Sequence, residues 1–270
     1  MTVRDVLGNS EIPRRDAEFL LLHCVGQADR GWLIAHNLDE VPIQALDDFK
    51  AACQQRARGL PLAYIVGRRE FWSLSLAVTP DVLIPRPETE LLVEWVLEHI
   101  GPEDGKSMLD LGTGSGAIAL ACKHDAPSLT VTACDISARA LAVANKNALD
   151  LSLSIEFLQS DWFSAMGDRR WSVIVANPPY VAHVDPHLSQ GDLRFEPQGA
   201  LTDGSDGLGA IRRIIEESPE YLERGGWLFI EHGYDQAKAV NTLFKARGFA
   251  DISLRRDLAG RPRASGGCWQ

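Results

Sequence analysis

The 270-residue chain has no apolar run approaching the ~20 residues a helix needs to cross a bilayer, so no membrane partner is expected. It lacks cysteine pairs. Cys24, Cys53, Cys122, Cys134 and Cys268 are odd in number, scattered and without a C-x-x-C spacing. That argues against a zinc site or a disulfide framework and for the reduced thiols of a cytoplasmic protein. A basic excess is also missing, since 27 Lys and Arg against 37 Asp and Glu leave a formal net charge of −10. Proteins that grip a phosphate backbone usually carry a basic face, so the balance weighs against nucleic acid as the principal partner. Asp5, Glu11, Asp16 and Glu18 are mixed with the N-terminal arginines, which fits neither a secretory signal nor an acid-poor transit peptide. The remaining composition, 45% apolar and 24% charged, is that of a globular protein with ample core for one large domain or two ordinary ones.

Three regions follow from the patterning. Residues 1–72 read as a helical domain: Leu7, Leu20 to Leu22, Leu33, Leu46, Phe49 and Ala52 recur at spacings near three and four. Pro13, Gly26, Gly31, Pro42 and Gly59-Leu60-Pro61 cut it into short helices. Residues 73–87 form a linker. The alternation from Glu70 to Val82 suggests a hairpin or extended segment, and Ile84-Pro85-Arg86-Pro87 enforces extended backbone. Residues 88–270 begin with a helix opened by Glu88-Thr89-Glu90. They then alternate strands (107–111, 129–134, 155–158, 171–176, 226–231) with helices (116–124, 138–150, 207–222, 235–247). Such alternation implies an α/β domain with a mostly parallel sheet and helices on both faces.

Between the first of these strands and its helix lies Asp110-Leu111-Gly112-Thr113-Gly114-Ser115-Gly116-Ala117. Glycines there permit a tight turn and let a ligand approach the backbone. No Gly-Lys-Ser/Thr follows, which excludes a kinase-type phosphate loop. Gly112, Gly114 and Ala117 satisfy a dinucleotide fingerprint, but three acids favour S-adenosylmethionine. Asp110 places a carboxylate where a ligand ammonium could lie. Asp135 ends the second strand, where one acid can take both ribose hydroxyls. Asp161-Trp162 follows the third strand and offers a carboxylate for an exocyclic adenine amine, with an aromatic or backbone contact beside the ring.

The apolar run Trp171–Ala176 ends in Asn177-Pro178-Pro179-Tyr180. Neither proline has an N–H for a ladder, so the backbone must leave the sheet at Asn177 with carbonyls turned outward and a flat ring just beyond. Acceptors without donors suit a planar –NH2 group, as found on adenine, cytosine, guanine or a carboxamide.

A methyltransferase core with this motif resembles the class I, Rossmann-like enzymes that methylate amino groups conjugated to a π system. Other segments are similar to the HemK-type (PrmC) release factor glutamine methyltransferases. These are Pro61-Leu62-Ala63-Tyr64-Ile65-Val66-Gly67 with Glu70-Phe71-Trp72, Val82-Leu83-Ile84-Pro85-Arg86-Pro87-Glu88-Thr89-Glu90, Phe195-Glu196-Pro197, Ala200-Leu201 and Asp206-Gly207-Leu208. The resemblance covers nearly the whole chain and implies a seven-stranded class I domain behind a small helical substrate-recognition domain. It implies methyl transfer from S-adenosylmethionine, giving S-adenosylhomocysteine, to the side-chain amide nitrogen (N5) of the glutamine in the Gly-Gly-Gln loop of class-1 peptide chain release factors. Gly112 to Gly116 would cradle the methionine part, Asp135 the ribose and Trp162 the adenine side. Asn177 would touch both cofactor and substrate, with Pro178, Pro179 and Tyr180 completing the glutamine site. The tail Gly260-Arg261-Pro262-Arg263-Ala264 departs from the family's Gly-x-x-Arg-Val, which leaves the last strand pairing open.

An amino-methyltransferase acting on adenine or guanine in DNA or RNA is the alternative, disfavoured by charge and by the linker segment. The enzyme is expected to be a monomer. His183 and His187 are read as a polar loop and not as a metal site. Arg86 is open between a structural salt bridge and a contact to the release factor or to the cofactor carboxylate. Glu196 is open between the substrate cleft and a loop cap. Arg255, Arg256, Arg261 and Arg263 are expected on a solvated edge.

Overall fold

Proline and capping side chains divide the N-terminal region into five short helices: α1 (Val3–Gly8), α2 (Arg14–Cys24), α3 (Arg30–Ala35), α4 (Ile43–Ala57) and α5 (Leu62–Val66). Thr2 and Asp29 cap α1 and α3 by accepting from the N–H groups of Asp5 and Gly31. Pro13, Pro42 and Pro61 stand at the N-caps of α2, α4 and α5, where a missing N–H leaves nothing unsatisfied. In the computed structural model, which describes residues 1–101 and 105–270, these helices belong to one compact unit, Met1–Arg68 with Gly191–Phe195. Its core is built from Val3, Leu7, Leu20, Leu21, Leu33 and Phe49. Arg56 ties it internally, with Nε 2.7 Å from Asp16 and Nη1 3.0 Å from Asp192.

The second unit, Arg69–Gln190 with Glu196–Gln270, opens on a hairpin of β1 (Arg68–Phe71) and β2 (Leu74–Ala77). Trp72 and Ser73 at its tip adopt φ of 51° and 58°, the left-handed pair that matches the twist of a two-residue hairpin. The Trp72 N–H donates to Glu90 at 2.8 Å. The expected helix at Glu88 starts instead as a 3-10 turn, Pro87–Thr89, and continues as α6 (Glu90–Ile100).

Then come β3 (Ser107–Leu111), α7 (Ala117–Asp125), β4 (Thr130–Asp135), α8 (Ala138–Asp150), β5 (Glu156–Gln159), β6 (Trp171–Ala176), α9 (Gln198–Leu201), α10 (Gly209–Glu217), β7 (Leu222–Glu231), α11 (Ala237–Arg247), β8 (Ala250–Arg256) and β9 (Pro262–Trp269). Seven strands form one sheet in the order β5-β4-β3-β6-β7-β9-β8. The first five are mutually parallel, while β9 runs antiparallel to both β7 and β8. All six residues of β6 are buried, as a central parallel strand covered on both faces requires. Met108, Val131, Val173 and Phe229 pack on one face with α6 and α7; Leu109, Leu111, Ile174 and Leu228 pack on the other with α10 and α11.

Three expectations change. The helix expected over 207–222 ends at Glu217, because Pro219 cannot continue its hydrogen-bond ladder, and β7 begins at Leu222 and not Gly226. The tail is fully paired, with Ala264 opposite both Glu231 and Arg255. The arginines are engaged and not merely solvated: Arg255 Nη1 lies 2.9 Å from Glu98 and its guanidinium 4.9 Å over Trp95, while Arg263 holds Asp257 at 3.0 Å. Among the described residues no helix is long and apolar enough to cross a membrane.

The β7–β9 contact depends on Gly266, where an added Cβ would overlap the Phe229 ring. Gly266→Ala is therefore expected to cost about 1–3 kcal/mol of unfolding free energy in chemical denaturation. Gly8→Ala, whose added carbon meets nothing within 4 Å, should shift stability by less than about 0.5 kcal/mol.

Candidate active site

Strand order places the candidate residues together. From β3 the chain builds outward through β4 and β5, then returns to the other side of β3 with β6. Leu111 consequently lies beside both Cys134 and Ala176, so the segments that follow these strands emerge side by side. This switch point, at the carboxyl ends of the strands, is where open α/β sheets bind ligands.

Gly112, Gly114 and Gly116 all have positive φ, of 71°, 55° and 85°, in the region that other residues enter only with strain. A Cβ on Gly116 would come within 2.9 Å of Leu120 and 3.3 Å of Ala144, so that glycine also lets α7 pack closely. Asp135 organises the turn: its two carboxylate oxygens accept from the N–H groups of Gly114 and Ser137, each at 2.9 Å. Burial raises its pKa from the ordinary aspartate value. Thr113 donates its hydroxyl to Asp110 Oδ2 at 2.6 Å, and its N–H to the Cys134 carbonyl at 2.9 Å. Asn147 of α8 donates to the Ser115 carbonyl at 2.9 Å and exchanges hydrogen bonds with Ala77, fixing the turn from behind. Nothing in the sequence pattern pointed to Asn147.

A cavity of about 600 Å³ opens over this edge, within the size range of small-molecule sites. Gly112, Gly114, Asp135, Asp161, Trp162, Asn177 and Pro179 line it. Asp110, Thr113, Ser115, Gly116, Pro178 and Tyr180 do not. Asp110 is buried, its Oδ1 has no hydrogen-bond partner, and burial pushes its pKa up to about 7. Asp161 is on the wall, and both its oxygens lie 2.9 Å from Arg213 Nη1, a partner the sequence did not reveal. Trp162, at φ 50°, sets its ring over Gly112, where a Cβ would touch it at 3.5 Å.

The Asn177 corner is held by residues from distant segments. Asn177 Nδ2 donates to Thr89 Oγ1 at 3.1 Å, and Thr89 donates to Glu231 Oε2 at 2.7 Å. The Tyr180 hydroxyl donates to Glu231 Oε1 at 3.0 Å, and Gln236 Nε2 donates to the Tyr180 carbonyl at 3.0 Å. Burial and the adjacent Glu231 carboxylate push the Tyr180 pKa far upward, so the phenol is a neutral donor. Glu231, 1% exposed, has its pKa pushed up to about 7 by burial. Thr89 and Glu231 were missed as site residues. The available signal was an acid ending the apolar run Leu228-Phe229-Ile230, level with Asn177 on the neighbouring strand.

The open alternatives at Arg86 and Glu196 resolve into a structural pair. Arg86 Nη2 lies 2.5 Å from Glu196 Oε1, and Oε2 accepts from the Ile84 N–H at 3.0 Å. His187 pairs with Asp185, and among the described residues no group of three metal-ligating side chains occurs.

A sheet of this order, with a glycine turn after β3, an acid ending β4 and Asn-Pro-Pro-Tyr after β6, defines a class I methyltransferase. Family models agree in both parts of the chain: a PrmC N-terminal domain matches residues 2–67 and a methyltransferase small domain residues 87–192. Release factor glutamine methyltransferases of Bordetella pertussis and Pseudomonas aeruginosa are each 47% identical, over 98% and 99% of this chain and the same shares of theirs. The chain belongs to the release factor glutamine methyltransferase family. The fold extends to more distant enzymes. One is the Thermus thermophilus 16S rRNA N2 G1207 methyltransferase, solved with AdoMet and guanosine, at 20% identity and TM-score 0.56 over 75% of this chain and 50% of that one.

The buried Glu231 gives a signed pH dependence. In the unfolded chain it loses its proton near 4.5, but in the fold it keeps it to about 7. The folded state thus binds more protons between those values, and Glu231's contribution is fully present below them and lost as pH rises. The unfolding free energy of the parent minus that of Glu231→Gln should fall from pH 4.5 to about 7 and level off above. A difference that rises over that interval would contradict the assignment.

Proposed function

We propose that this protein transfers a methyl group from S-adenosylmethionine to the side-chain amide nitrogen of the glutamine in the Gly-Gly-Gln loop of class-1 release factors. The observation that carries this reading is the Asn177 corner. Its amide –NH2 is turned away to Thr89, and Asn177 itself lines the cavity beside two residues that have no N–H.

The cavity suits the cofactor. Gly112 and Gly114 bring bare backbone to its wall, Asp135 and Asp161 bring carboxylates, and Trp162 and Ile136 bring apolar surface. Family resemblance assigns the Gly112–Gly116 turn to the methionine part, Asp135 to the ribose and Trp162 to the adenine side, and the Asp161 carboxylate suits the exocyclic adenine amine. Asp110 supports the turn through Thr113. When bound, S-adenosylmethionine supplies an electrophilic methyl group on a sulfonium and leaves as S-adenosylhomocysteine.

The protein's own part is positioning. A carboxamide nitrogen is a poor nucleophile because its lone pair is shared with the carbonyl. Asn177 Oδ1 and the Pro178 carbonyl accept its two N–H groups and fix it in line with the methyl, so orientation and exclusion of water lower the barrier. The Tyr180 phenol is neutral and both Glu231 oxygens are occupied, so no base stands ready. As the N–CH3 bond forms the S–CH3 bond breaks, and the cationic N-methylated amide, strongly acidic, then gives its proton to water. The helical unit, matched by the PrmC N-terminal domain, serves release-factor recognition. The five cysteines of the whole chain are free thiols, which suits an enzyme working in the cytoplasm, and it acts as a monomer.

The test offers labelled S-adenosylmethionine with a release factor, and separately with ribosomal RNA or DNA. Label is expected in the release factor, and label found only in nucleic acid would overturn the reading in favour of a base amino-methyltransferase. Asn177→Ala should lower transfer by about 10²–10³-fold with the fold intact by circular dichroism. Asp135→Ala should weaken S-adenosylmethionine binding at least ~10-fold in calorimetry; near-parental values in either variant would remove the assigned role.

A further inference from the structure

The two ends of the Asn177 amide have nearly the same shape and opposite hydrogen-bonding character. Rotation by half a turn would present –NH2 to the cavity where an acceptor is required. Packing cannot choose between the two orientations, so a hydrogen-bond partner of fixed polarity must do so.

Resting on the glutamine reading above, we propose that Thr89 and Glu231 form a positioning relay that sets the direction of the Asn177 amide. In its ionised form the Glu231 carboxylate can only accept, and it takes the single Thr89 proton. Thr89 Oγ1 is then left with lone pairs alone on its Asn177 side, and it accepts from Nδ2. Turning the amide would set Oδ1 against Thr89 Oγ1, two acceptors with no proton between them. The carbonyl end therefore faces the cavity. The second Glu231 oxygen takes the Tyr180 hydroxyl, so one carboxylate fixes both ends of the Asn-Pro-Pro-Tyr segment.

The surroundings favour this role over a purely structural one. Thr89 and Glu231 are 4% and 1% exposed, so water does not compete for either group. A buried carboxylate kept for stability is usually paired with a cation. Here the hydrogen-bond partners are two hydroxyls, while the neighbouring Arg263 spends its Nε donor on Asp257. Among the described residues no cation lies within salt-bridge distance of the acid, although the Arg263 charge acts on it from farther away, and its hydrogen bonds go to Thr89 and Tyr180. The three elements involved are the 3-10 turn Pro87–Thr89 and the ends of β6 and β7, so the relay connects parts of the chain far apart in sequence.

The test compares Thr89→Val, which keeps the shape and removes the hydroxyl, with Thr89→Ser, which restores it, at pH 8 on the full-length protein. Thr89→Val is expected to lower kcat for release-factor methylation about 10–100-fold, with KM and S-adenosylmethionine affinity within about threefold of the parent. Thr89→Ser should recover the rate to within about threefold. The ¹⁵N–¹H signals of the Asn177 side-chain amide, assigned by their loss in Asn177→Ala, should shift in Thr89→Val and return in Thr89→Ser. Parental kcat in Thr89→Val, or an equal loss in the valine and serine variants, would overturn the relay. Should Thr89→Val fail to fold, Thr89→Ala gives the same readouts. A parent that does not methylate a release factor would count against the glutamine reading alone, and the amide signals would still decide the relay.

Discussion

Two consecutive prolines cannot extend the ladder of β6, and the chain has to leave the sheet at Asn177, beside the switch point next to β3. The rest of the active edge is arranged around that exit. It puts an amide side chain and outward carbonyls next to the glycine turn, so a methyl donor and a planar nitrogen can meet over the same strand ends. It also leaves a segment without sheet hydrogen bonds, which must be anchored by side chains. Glu231, Thr89 and Gln236 supply that anchorage.

Carboxyl groups at the ends of strands recur across this edge: Asp110 on β3, Asp135 on β4 and Glu231 on β7. Burial raises the pKa of each. Their hydrogen-bond partners are local donors: Thr113 at one oxygen of Asp110, whose other oxygen has none, backbone N–H groups at Asp135, and two hydroxyls at Glu231. The desolvation cost is thereby offset within the site, and the acids act as rigid acceptors that order the loops around the cavity. Asp161 differs, being exposed and paired with Arg213, so that wall of the cavity is framed from the surface.

What could be read from the sequence was whatever local chemistry determines. The alternation of strands and helices follows from periodicity, and β6 and α8 fall at the expected boundaries because Pro178 and the Ser137 cap mark them. The Asn-Pro-Pro-Tyr corner is legible because an absent N–H is a property of the residue itself. The Thr89–Glu231 hydrogen bond spans 142 residues, and no local pattern encodes it. Asp110 was identified as an acid near the turn, yet its burial depends on β4, β6 and α7 closing around it. The final pairing of β9 was obscured because Ala264-Ser265-Gly266-Gly267 has weak strand preference; it forms because Gly266 lets Phe229 close against it.

The central claim is that an acceptor-only corner holds a glutamine –NH2 for methyl transfer. Fragment-ion mass spectrometry of a release factor incubated with the enzyme and S-adenosylmethionine, compared with the same factor carrying glutamate in place of its Gly-Gly-Gln glutamine, addresses it most directly. The account predicts one added methyl group, located on that glutamine side chain, and none on the glutamate form. Methylation of the glutamate form, or a methyl group located on another residue, would contradict it.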